Sequence, residues 1–336
     1  MRKVLLSTVA FAALTVAGTA FAADPVFDPN LNNQAYVDQV GSSNGNTQIQ
    51  TGSKNFSFAK QTGDHNTHFI EQKGSTNKEV TKQTGDWNYA ASNQYSRTVA
   101  TYDNTITITQ GGKDGGKGTA NAAYVGQYDG HDNFFSVTQT GDYNHVRPGS
   151  DQTGSYNAAT VEQAGNGNWV HKLSQEGSTN SFTVLQYGDD NDATVSQKGN
   201  YNGLGGGMID QYGSNNTAST SVDGDWNWSR QYQSGTGNTS TLVQTNRNNG
   251  AYLIQQGNGH TVEVTQTSTG WNGNYADVLQ TGNDQWAKVT QNGALNNSYT
   301  AQHGNLNRST TEQTGNSHYA KVFQNGTSNV STVTQK

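Results

Sequence analysis

Polar and apolar residues alternate over short segments along most of this chain, and each segment ends in glutamine. In one of them, Asn157, Ala159, Val161 and Gln163 occupy alternate positions. A period of two predicts a β-strand, because successive side chains of a strand point to opposite faces. The face that carries these four residue types is expected to point inward. After residue 22, no segment shows the spacing of three and four residues that an amphipathic helix needs.

The strands recur in a repeat of about eleven residues. Between Gln39 and Gln335 the sequence divides into 25 units, of which 18 have eleven residues, with the consensus Q-x-G-x-x-N-x-x-x-x-x-Q. Val222 replaces one glutamine, whereas His260, Gln285 and His318 replace asparagines. The first half of each unit, from glutamine through glycine to asparagine, has turn chemistry. Each unit is therefore predicted to be one strand plus one turn.

Such strands predict a stacked architecture. A strand with only two small or medium apolar side chains cannot form a core alone, but stacked equivalent strands can. We expect an all-β fold, a β-solenoid of about twelve 22-residue strand-turn-strand-turn rungs with two facing parallel in-register sheets in a cross-β arrangement. Inward amides would form ladders, because a buried amide is costly unless it is paired.

Three sets of residues are expected to hold this structure together. The predicted ladder glutamines are Gln39, Gln50, Gln61, Gln72, Gln83, Gln152, Gln163, Gln186, Gln197, Gln291, Gln302, Gln313, Gln324 and Gln335. The predicted ladder asparagines are Asn44, Asn55, Asn66, Asn77, Asn88, Asn157, Asn180, Asn191, Asn216, Asn227, Asn238, Asn296, Asn307 and Asn329. The predicted turn glycines are Gly41, Gly52, Gly63, Gly74, Gly85, Gly154, Gly188, Gly293, Gly304, Gly315 and Gly326.

Composition supports this interpretation. The 40 Asn, 30 Gln and 40 Gly make up a third of the 336 residues, whereas hydrophobic residues are 30% and charged residues 13%. This composition argues against a helical enzyme with a large apolar core. The chain has no cysteine, so no disulfide framework is expected. Its acidic balance and scattered basic residues lack the basic stripe that nucleic-acid binding requires.

The first residues predict export. Arg2 and Lys3 precede an apolar run that reaches Ala17, and a small-x-small cleavage motif ends at Ala22, as in a secretory signal peptide. The apolar run is too short for a membrane span, and no later stretch approaches that length. We expect an exported chain of net charge −8 without a transmembrane segment. The predicted organisation is a signal peptide at 1–22, a short N-terminal segment at 23–32 and a repeat array at 33–335.

The repeat runs close to both ends of this sequence. The sequence stops at NVSTVTQK, a strand followed by one lysine, and about ten residues precede the first strand-like segment. A soluble solenoid needs caps over its last rungs. Uncovered rungs expose unpaired N–H and C=O groups that match the end of another copy. We therefore expect a fibre-forming subunit that stacks end to end.

The units resemble a known repeat. QTGDWNYAASNQ (Gln83–Gln94) and QYGDDNDATVSQ (Gln186–Gln197) are similar to the curlin repeat, S-x5-Q-x-G-x-x-N-x-A-x3-Q, of the curli amyloid subunits of Gram-negative bacteria. The resemblance covers residues 33–335. It implies cross-β fibres at the cell surface with roles in biofilm matrix and adhesion. It also implies three partners, namely other copies of the chain, a nucleator subunit and an outer-membrane secretion channel.

The sequence departs from that family in three ways. It has about twelve rungs where the best-known subunits have five. Seven units carry insertions, including GGKDGGKG (Gly111–Gly118) and GLGGG (Gly203–Gly207), and the segment before the repeats is short and not glycine-rich. Two alternatives stay open, a minor nucleator subunit of the same fibre and a non-polymerising β-solenoid adhesin. A β-solenoid enzyme would need carboxylates on long loops, and the insertions carry almost none.

Motifs for binding chemistry are weak. Residues 111–117 fit GxxxxGK, but Gly118 stands where a nucleotide-binding loop has Ser or Thr. Asp189, Asp190 and Asp192 lie in a single repeat turn, and the pattern of calcium-binding solenoids does not recur. We therefore expect no catalytic residue, no metal and no cofactor.

Two groups of ionisable residues have other expected roles. His260 and His318 both replace ladder asparagines, and two imidazoles in one stack could make the fibre pH-sensitive. Lys78, Glu79 and Lys82 lie in one strand, where their charges are expected to slow premature aggregation.

Overall fold

The structure, a computed structural model, describes residues 24–95, 102–111, 120–203 and 206–336. The predicted signal peptide lies outside these residues, as do 112–119 and 204–205 within the two glycine-rich insertions. The described residues contain 27 strands and no helix. The strands are β1 (Gln34–Val40), β2 (Gly45–Ser53), β3 (Phe56–Thr62), β4 (Thr67–Ser75), β5 (Lys78–Thr84), β6 (Tyr89–Tyr95), β7 (Thr105–Gly111), β8 (Ala122–Tyr128), β9 (Phe134–Thr140), β10 (His145–Val146), β11 (Asp151–Thr153), β12 (Ala158–Ala164), β13 (Trp169–Glu176), β14 (Ser181–Asp189), β15 (Asp192–Lys198), β16 (Met208–Ser214), β17 (Thr217–Asp223), β18 (Trp228–Thr236), β19 (Thr239–Thr245), β20 (Gly250–Asn258), β21 (Thr261–Ser268), β22 (Tyr275–Asn283), β23 (Trp286–Ala294), β24 (Asn297–Asn305), β25 (Arg308–Asn316), β26 (Tyr319–Thr327) and β27 (Val330–Gln335).

The strands form two parallel sheets of 13 and 14 strands, to which the chain contributes alternately. β10 and β11 fill one strand position between β8 and β13, and Pro148, which has no N–H to give to the sheet, lies between them. The fold is thus a solenoid of about 13 turns. The expected architecture is confirmed with one turn more than the count of about twelve. The 25 units are counted from Gln39, which lies in β1, so β1 itself is not among them, and it completes a first turn with β2.

The register between turns follows the glutamines even where units carry insertions. Regular neighbours pair residues 22 apart, such as Gln61 with Gln83. Across the longer units, Gln94 pairs with Gln127 and Gln110 with Gln139. The strands on either side of these longer units therefore keep their glutamines paired. Within β13 the pairing with β15 shifts by one residue between Val170 and Lys172, so His171 forms a bulge.

Most corners among the described residues contain two residues with positive φ. At Gly188 φ is +115°, and a Cβ there would lie 2.1 Å from the carbonyl oxygen of Gly213 in the next turn. Two residues later, Asp190 has a φ of 55°. Only glycine accepts the first conformation without strain, whereas Asp tolerates the second. The glycines of the motif thus serve two needs, a tight turn and close stacking of backbone on backbone.

The inward face is confirmed, since Asn157, Ala159, Val161 and Gln163 are all fully buried. Apolar residues between the sheets form two clusters, one from Ala90 to Ala218 and one from Leu242 to Val289. Between these clusters the interior is polar, with Gln231 donating to the Thr220 hydroxyl at 2.6 Å. The interior of the first turns is also polar and holds a cluster described below.

Candidate functional site

The glutamine ladder runs along the solenoid between the two sheets. Gln61 Nε2 donates to Gln83 Oε1 at 2.8 Å, and Gln302 Nε2 donates to Gln324 Oε1 at 2.7 Å. The same nitrogen also donates across the interior, as from Gln61 to the Gly45 carbonyl at 3.0 Å. Each buried amide therefore joins successive turns and also ties the two sheets together. Every predicted ladder glutamine donates to or accepts from a glutamine of an adjacent turn.

The asparagine ladder occupies the corners and runs in the opposite direction. Asn77 Nδ2 donates to Asn55 Oδ1 of the preceding turn at 3.1 Å, and Asn55 Nδ2 donates to the Gly74 carbonyl of the following turn at 3.1 Å. Main-chain N–H groups donate further hydrogen bonds to the ladder. The N–H of Asn296, for example, donates to Asn274 Oδ1 at 3.2 Å. The predicted ladder asparagines all take part in such contacts.

Val222 interrupts the glutamine ladder. It pairs in register with Gln197 on one side and Gln244 on the other. In place of a ladder bond, Gln197 Nε2 makes only a 3.4 Å contact with the Ser181 carbonyl, and Gln244 Oε1 is buried without a partner. This position is a weak point in an otherwise continuous row of amides.

Replacing Val222 with glutamine should strengthen the stack. The new amide would accept from Gln197 and donate to Gln244, and a recovered buried hydrogen bond contributes about 1 kcal/mol. We expect a higher denaturant midpoint for V222Q. Valine to glutamine at the fully buried neighbour Val195, which has no amide partner in line, should lower that midpoint. If both substitutions changed the denaturant midpoint equally, the contribution of the glutamine ladder to stability would be contradicted.

The two histidines of the asparagine positions lie in different ladders. The main-chain N–H of His260, before β21, donates to Asn238 Oδ1, whereas that of His318, before β26, donates to Asn296 Oδ1. Burial lowers the pKa of His260. The interpretation of two imidazoles in one stack is therefore wrong, because the strands that follow them belong to opposite sheets.

A buried ionisable cluster lies between the sheets near the first turns. His68 and Glu79 are both buried, and His68 Nε2 lies 3.0 Å from Glu79 Oε1. Asn46 Nδ2 contacts His68 Nδ1 at 3.0 Å, so Nδ1 is the acceptor and Nε2 carries the proton given to Glu79. The hydroxyls of Ser57 and Thr81 complete the shell around the carboxylate.

Glu79, one of the charges expected to slow premature aggregation, faces the interior of the folded solenoid. The expected role in the unfolded chain stays a prediction. The same two-residue period that defines the inward face, counted from Asn77, places Glu79 on that face. The sequence thus contained the signal for its direction. That His68 would lie opposite it across the interior follows only from the packing of the two sheets.

The remaining candidate positions give no separate site. Within the four described ranges, no group of three or more His, Cys, Asp or Glu side chains could hold a metal ion. The turn with Asp189, Asp190 and Asp192 is an ordinary corner, and most of the GxxxxGK segment lies outside the described residues. Among the described residues, no helix has the length and apolarity to cross a membrane.

The two end turns differ from the interior ones in exposure. The inward residue Val37 of β1 is 50% exposed, and the inward residue Val333 of β27 is part-exposed, whereas inward valines of the middle turns are buried. In the described chain, β1 and β2 pair with strands on one side only, and so do β26 and β27. Each end therefore presents a row of backbone N–H and C=O groups together with the last members of the ladders.

Comparison with known proteins adds family evidence. Residues 117–141 and 172–199 match the family model of the curlin associated repeat. A search of curated proteins found no match to the chain. The resemblance inferred from the spacing of glutamine, glycine and asparagine is confirmed. The repeat family and the solenoid together are consistent with a curli-like structural subunit.

Proposed function

We propose that this curlin-repeat chain is a secreted structural subunit that polymerises end to end into extracellular, curli-like amyloid fibres of a biofilm matrix, where it supports surface adhesion and cell aggregation. The observation that carries the proposal is the opposite polarity of the two amide ladders. This polarity makes the two ends of the solenoid complementary to each other.

At the C-terminal end, Gln324 and Gln335 accept ladder bonds from the preceding turn. Each amide nitrogen then donates to one carbonyl, that of Arg308 or Tyr319. In regular turns the second N–H of such an amide donates to the next glutamine. At the other end, Gln39 and Gln50 donate forward, and no described residue donates to their Oε1 atoms. One end thus offers glutamine donors and the other glutamine acceptors.

The asparagine ladder matches in the reverse sense. Asn329 donates to Asn307 at 2.9 Å, and no described residue donates to Asn329 Oδ1. A following copy would place Asn44 at that oxygen, in the relation that Asn66 has to Asn44 within the chain. Head-to-tail stacking therefore pairs both ladders, whereas joining two like ends would oppose donor to donor or acceptor to acceptor.

The segment before β1 leaves this edge accessible. Phe27 packs edge-on against Phe56 of β3, with ring centroids 6.3 Å apart. Asp24 pairs with Lys82 of β5 at 2.5 Å. The segment therefore lies along the outer face of one sheet, beside the first turns, and not across the edge of β1 where another copy would add.

Assembly of the purified chain tests the proposed function directly. Residues 23–336, diluted out of denaturant, should form thioflavin-binding fibres with a meridional diffraction repeat of ~4.8 Å, because strands lie across the fibre axis. Electron microscopy should show unbranched fibres. A soluble monomer that persists for days at micromolar concentration would overturn the fibre function.

Ladder variants test the mode of assembly. Gln324→Ala and Gln50→Ala remove one amide at opposite ends, and each should slow seeded elongation about fivefold, the equivalent of roughly 1 kcal/mol. Lys288, whose side chain is 45% exposed on an outer face, is the matched control. Lys288→Ala should leave the elongation rate unchanged. Equal slowing by all three substitutions would contradict end-to-end pairing through the ladders.

The route and partners belong to the same proposal. Residues 1–22 would direct export into the periplasm, 23–32 would precede the array, and 33–335 would form it at the cell surface. A nucleator subunit and an outer-membrane channel would be the partners. From Gln244 onward the glutamine ladder bonds continue to Gln335, which favours a major subunit over a minor nucleator.

A further inference from the structure

Asparagine followed directly by glycine can lose its side-chain amide without an enzyme, and the sequence contains eight such pairs. The glycine nitrogen attacks the asparagine side-chain carbonyl, and glycine has no Cβ to hinder the approach. The attack needs a backbone that can turn and a glycine N–H that is not already engaged in a hydrogen bond. The pairs are Asn44-Gly45, Asn166-Gly167, Asn202-Gly203, Asn249-Gly250, Asn258-Gly259, Asn272-Gly273, Asn292-Gly293 and Asn325-Gly326.

The solenoid holds seven of these pairs in place. In five of them the glycine N–H donates to a main-chain carbonyl of an adjacent turn, as from Gly259 to Thr236 at 3.0 Å. Gly293 and Gly326 lie inside β23 and β26, where sheet pairing keeps the backbone extended. Ring closure at these seven positions must therefore wait for local opening of a paired turn. The five engaged glycines are Gly45, Gly167, Gly203, Gly250 and Gly259.

The pair Asn272-Gly273 differs from the other seven. It lies in the loop between β21 and β22, in one of the longer units. The Asn272 side chain is exposed, and neither it nor the Gly273 N–H makes a hydrogen bond within the described part of the chain. Gly273 is anchored through its carbonyl instead, which accepts from the Leu295 N–H at 3.0 Å. The attacking nitrogen and the amide it would attack are therefore both unrestrained by the stack.

We propose that Asn272 is a self-modification site of the folded protein, where deamidation runs far ahead of the other pairs. The Gly273 nitrogen loses its proton and bonds to Cγ of Asn272, which closes a succinimide ring as the side-chain nitrogen leaves as ammonia. Water then adds to either ring carbonyl and opens the ring, which leaves aspartate or isoaspartate at position 272. One water is consumed and one ammonia is released, so the reaction needs no oxidant and no enzyme.

Isoaspartate at this position would disturb one corner of the solenoid. Asn248 Nδ2 donates to the Trp271 carbonyl, and the Leu295 N–H donates to the Gly273 carbonyl, so both neighbours of Asn272 are held by adjacent turns. Isoaspartate adds one CH₂ to the backbone between these two anchors. We expect the modification to loosen this corner and to leave the amide ladders between the sheets intact.

This inference is independent of fibre formation, because both reacting residues belong to one chain. The experiment is incubation of the folded mature chain, residues 23–336, in oxygen-18 water at mildly alkaline pH, followed by peptide mass mapping. The peptide with position 272 should take up oxygen-18 at least about tenfold faster than any other Asn-Gly peptide, because the other pairs must first open a paired turn. The rate should rise with pH, since the attacking nitrogen must lose its proton.

Two controls separate the effect of the fold from the effect of the dipeptide. Asn292 is the matched internal control, because it is also exposed but is followed by Gly293 within β23. In denaturant all eight pairs should react at similar rates, and the advantage of Asn272 should disappear. Absence of oxygen-18 at position 272 in the folded chain, equal rates at Asn272 and Asn292, or the same advantage of Asn272 in denaturant would each overturn the proposal.

Discussion

Replacing Gly188 with alanine should destabilise the middle of the solenoid by about 3 kcal/mol or more. The new Cβ would lie 2.1 Å from the Gly213 carbonyl oxygen, and φ at this position is +115°, a region that other residues reach only under strain. Because the obstructing atom is backbone, the adjacent turn must shift to make room. Denaturant unfolding of the unassembled chain should show a large drop in midpoint, and seeded growth should slow.

Gly45 is the matched control for this substitution. It lies in β2 without a positive φ, and a Cβ there would meet only the Thr67 hydroxyl at 4.0 Å. Gly45→Ala should leave stability unchanged or raise it slightly, since alanine narrows the unfolded ensemble. A Gly188 variant as stable as the Gly45 variant would show that the turns can separate without cost, which would contradict the close backbone stacking.

Removing one member of the His68–Glu79 pair should be the second large effect. Glu79→Ala leaves the His68 ring N–H and the hydroxyls of Ser57 and Thr81 without their acceptor, and each buried unpaired group costs about 1–3 kcal/mol. We expect a loss of about 3 kcal/mol or more in the unfolding free energy. His68→Ala should also destabilise, because a buried carboxylate then loses one of its donors.

The double variant distinguishes this pairing from simple loss of volume. Alanine is common at these inward positions, as at Ala90 and Ala159, so H68A/E79A creates a local pattern that other turns already use. It should be clearly more stable than the sum of the single effects predicts. If the double variant lost as much unfolding free energy as the two single variants together, the coupling between His68 and Glu79 would be contradicted.

An exposed pair provides the comparison. Lys288 and Glu263 lie 3.4 Å apart with side chains 45% and 44% exposed. Glu263→Ala should change the unfolding free energy by no more than about 0.5 kcal/mol, because water screens the interaction. The contrast between Glu79 and Glu263 separates the effect of burial from the effect of losing a carboxylate.

The loop that carries Asn272 lies away from the two ends of the solenoid, since it joins β21 to β22. The proposed stacking would use the two ends of the solenoid, where β1, β2, β26 and β27 have one unpaired edge within the described chain. A fibre built by end-to-end addition would therefore repeat this loop once per subunit along its side.

The repeat motif was sufficient to predict the strands, their inward face and the ladders. Period-two alternation fixes which side chains share a face, and the constant distance between glutamines fixes the register, as for Gln61 and Gln83. The consequences of exceptions to the motif depend on the stacked structure. The sequence shows that Val222 replaces a glutamine, but only the stacked turns show that the Oε1 atom of Gln244 beside it is left without a partner. The count of about twelve turns omits β1, because it begins at Gln39, which lies in that strand.

The sequence by itself determined the strands, the glycine corners and the regular positions of the ladder amides. These features depend only on spacing along the chain. Only the tertiary structure decided which residues meet between sheets and between corners. His68 and Glu79 are eleven residues apart and belong to opposite sheets, and Arg247 and Trp271 meet across an irregular loop. Such contacts depend on how sheets pack and where insertions leave the stack, and the repeat period does not specify either.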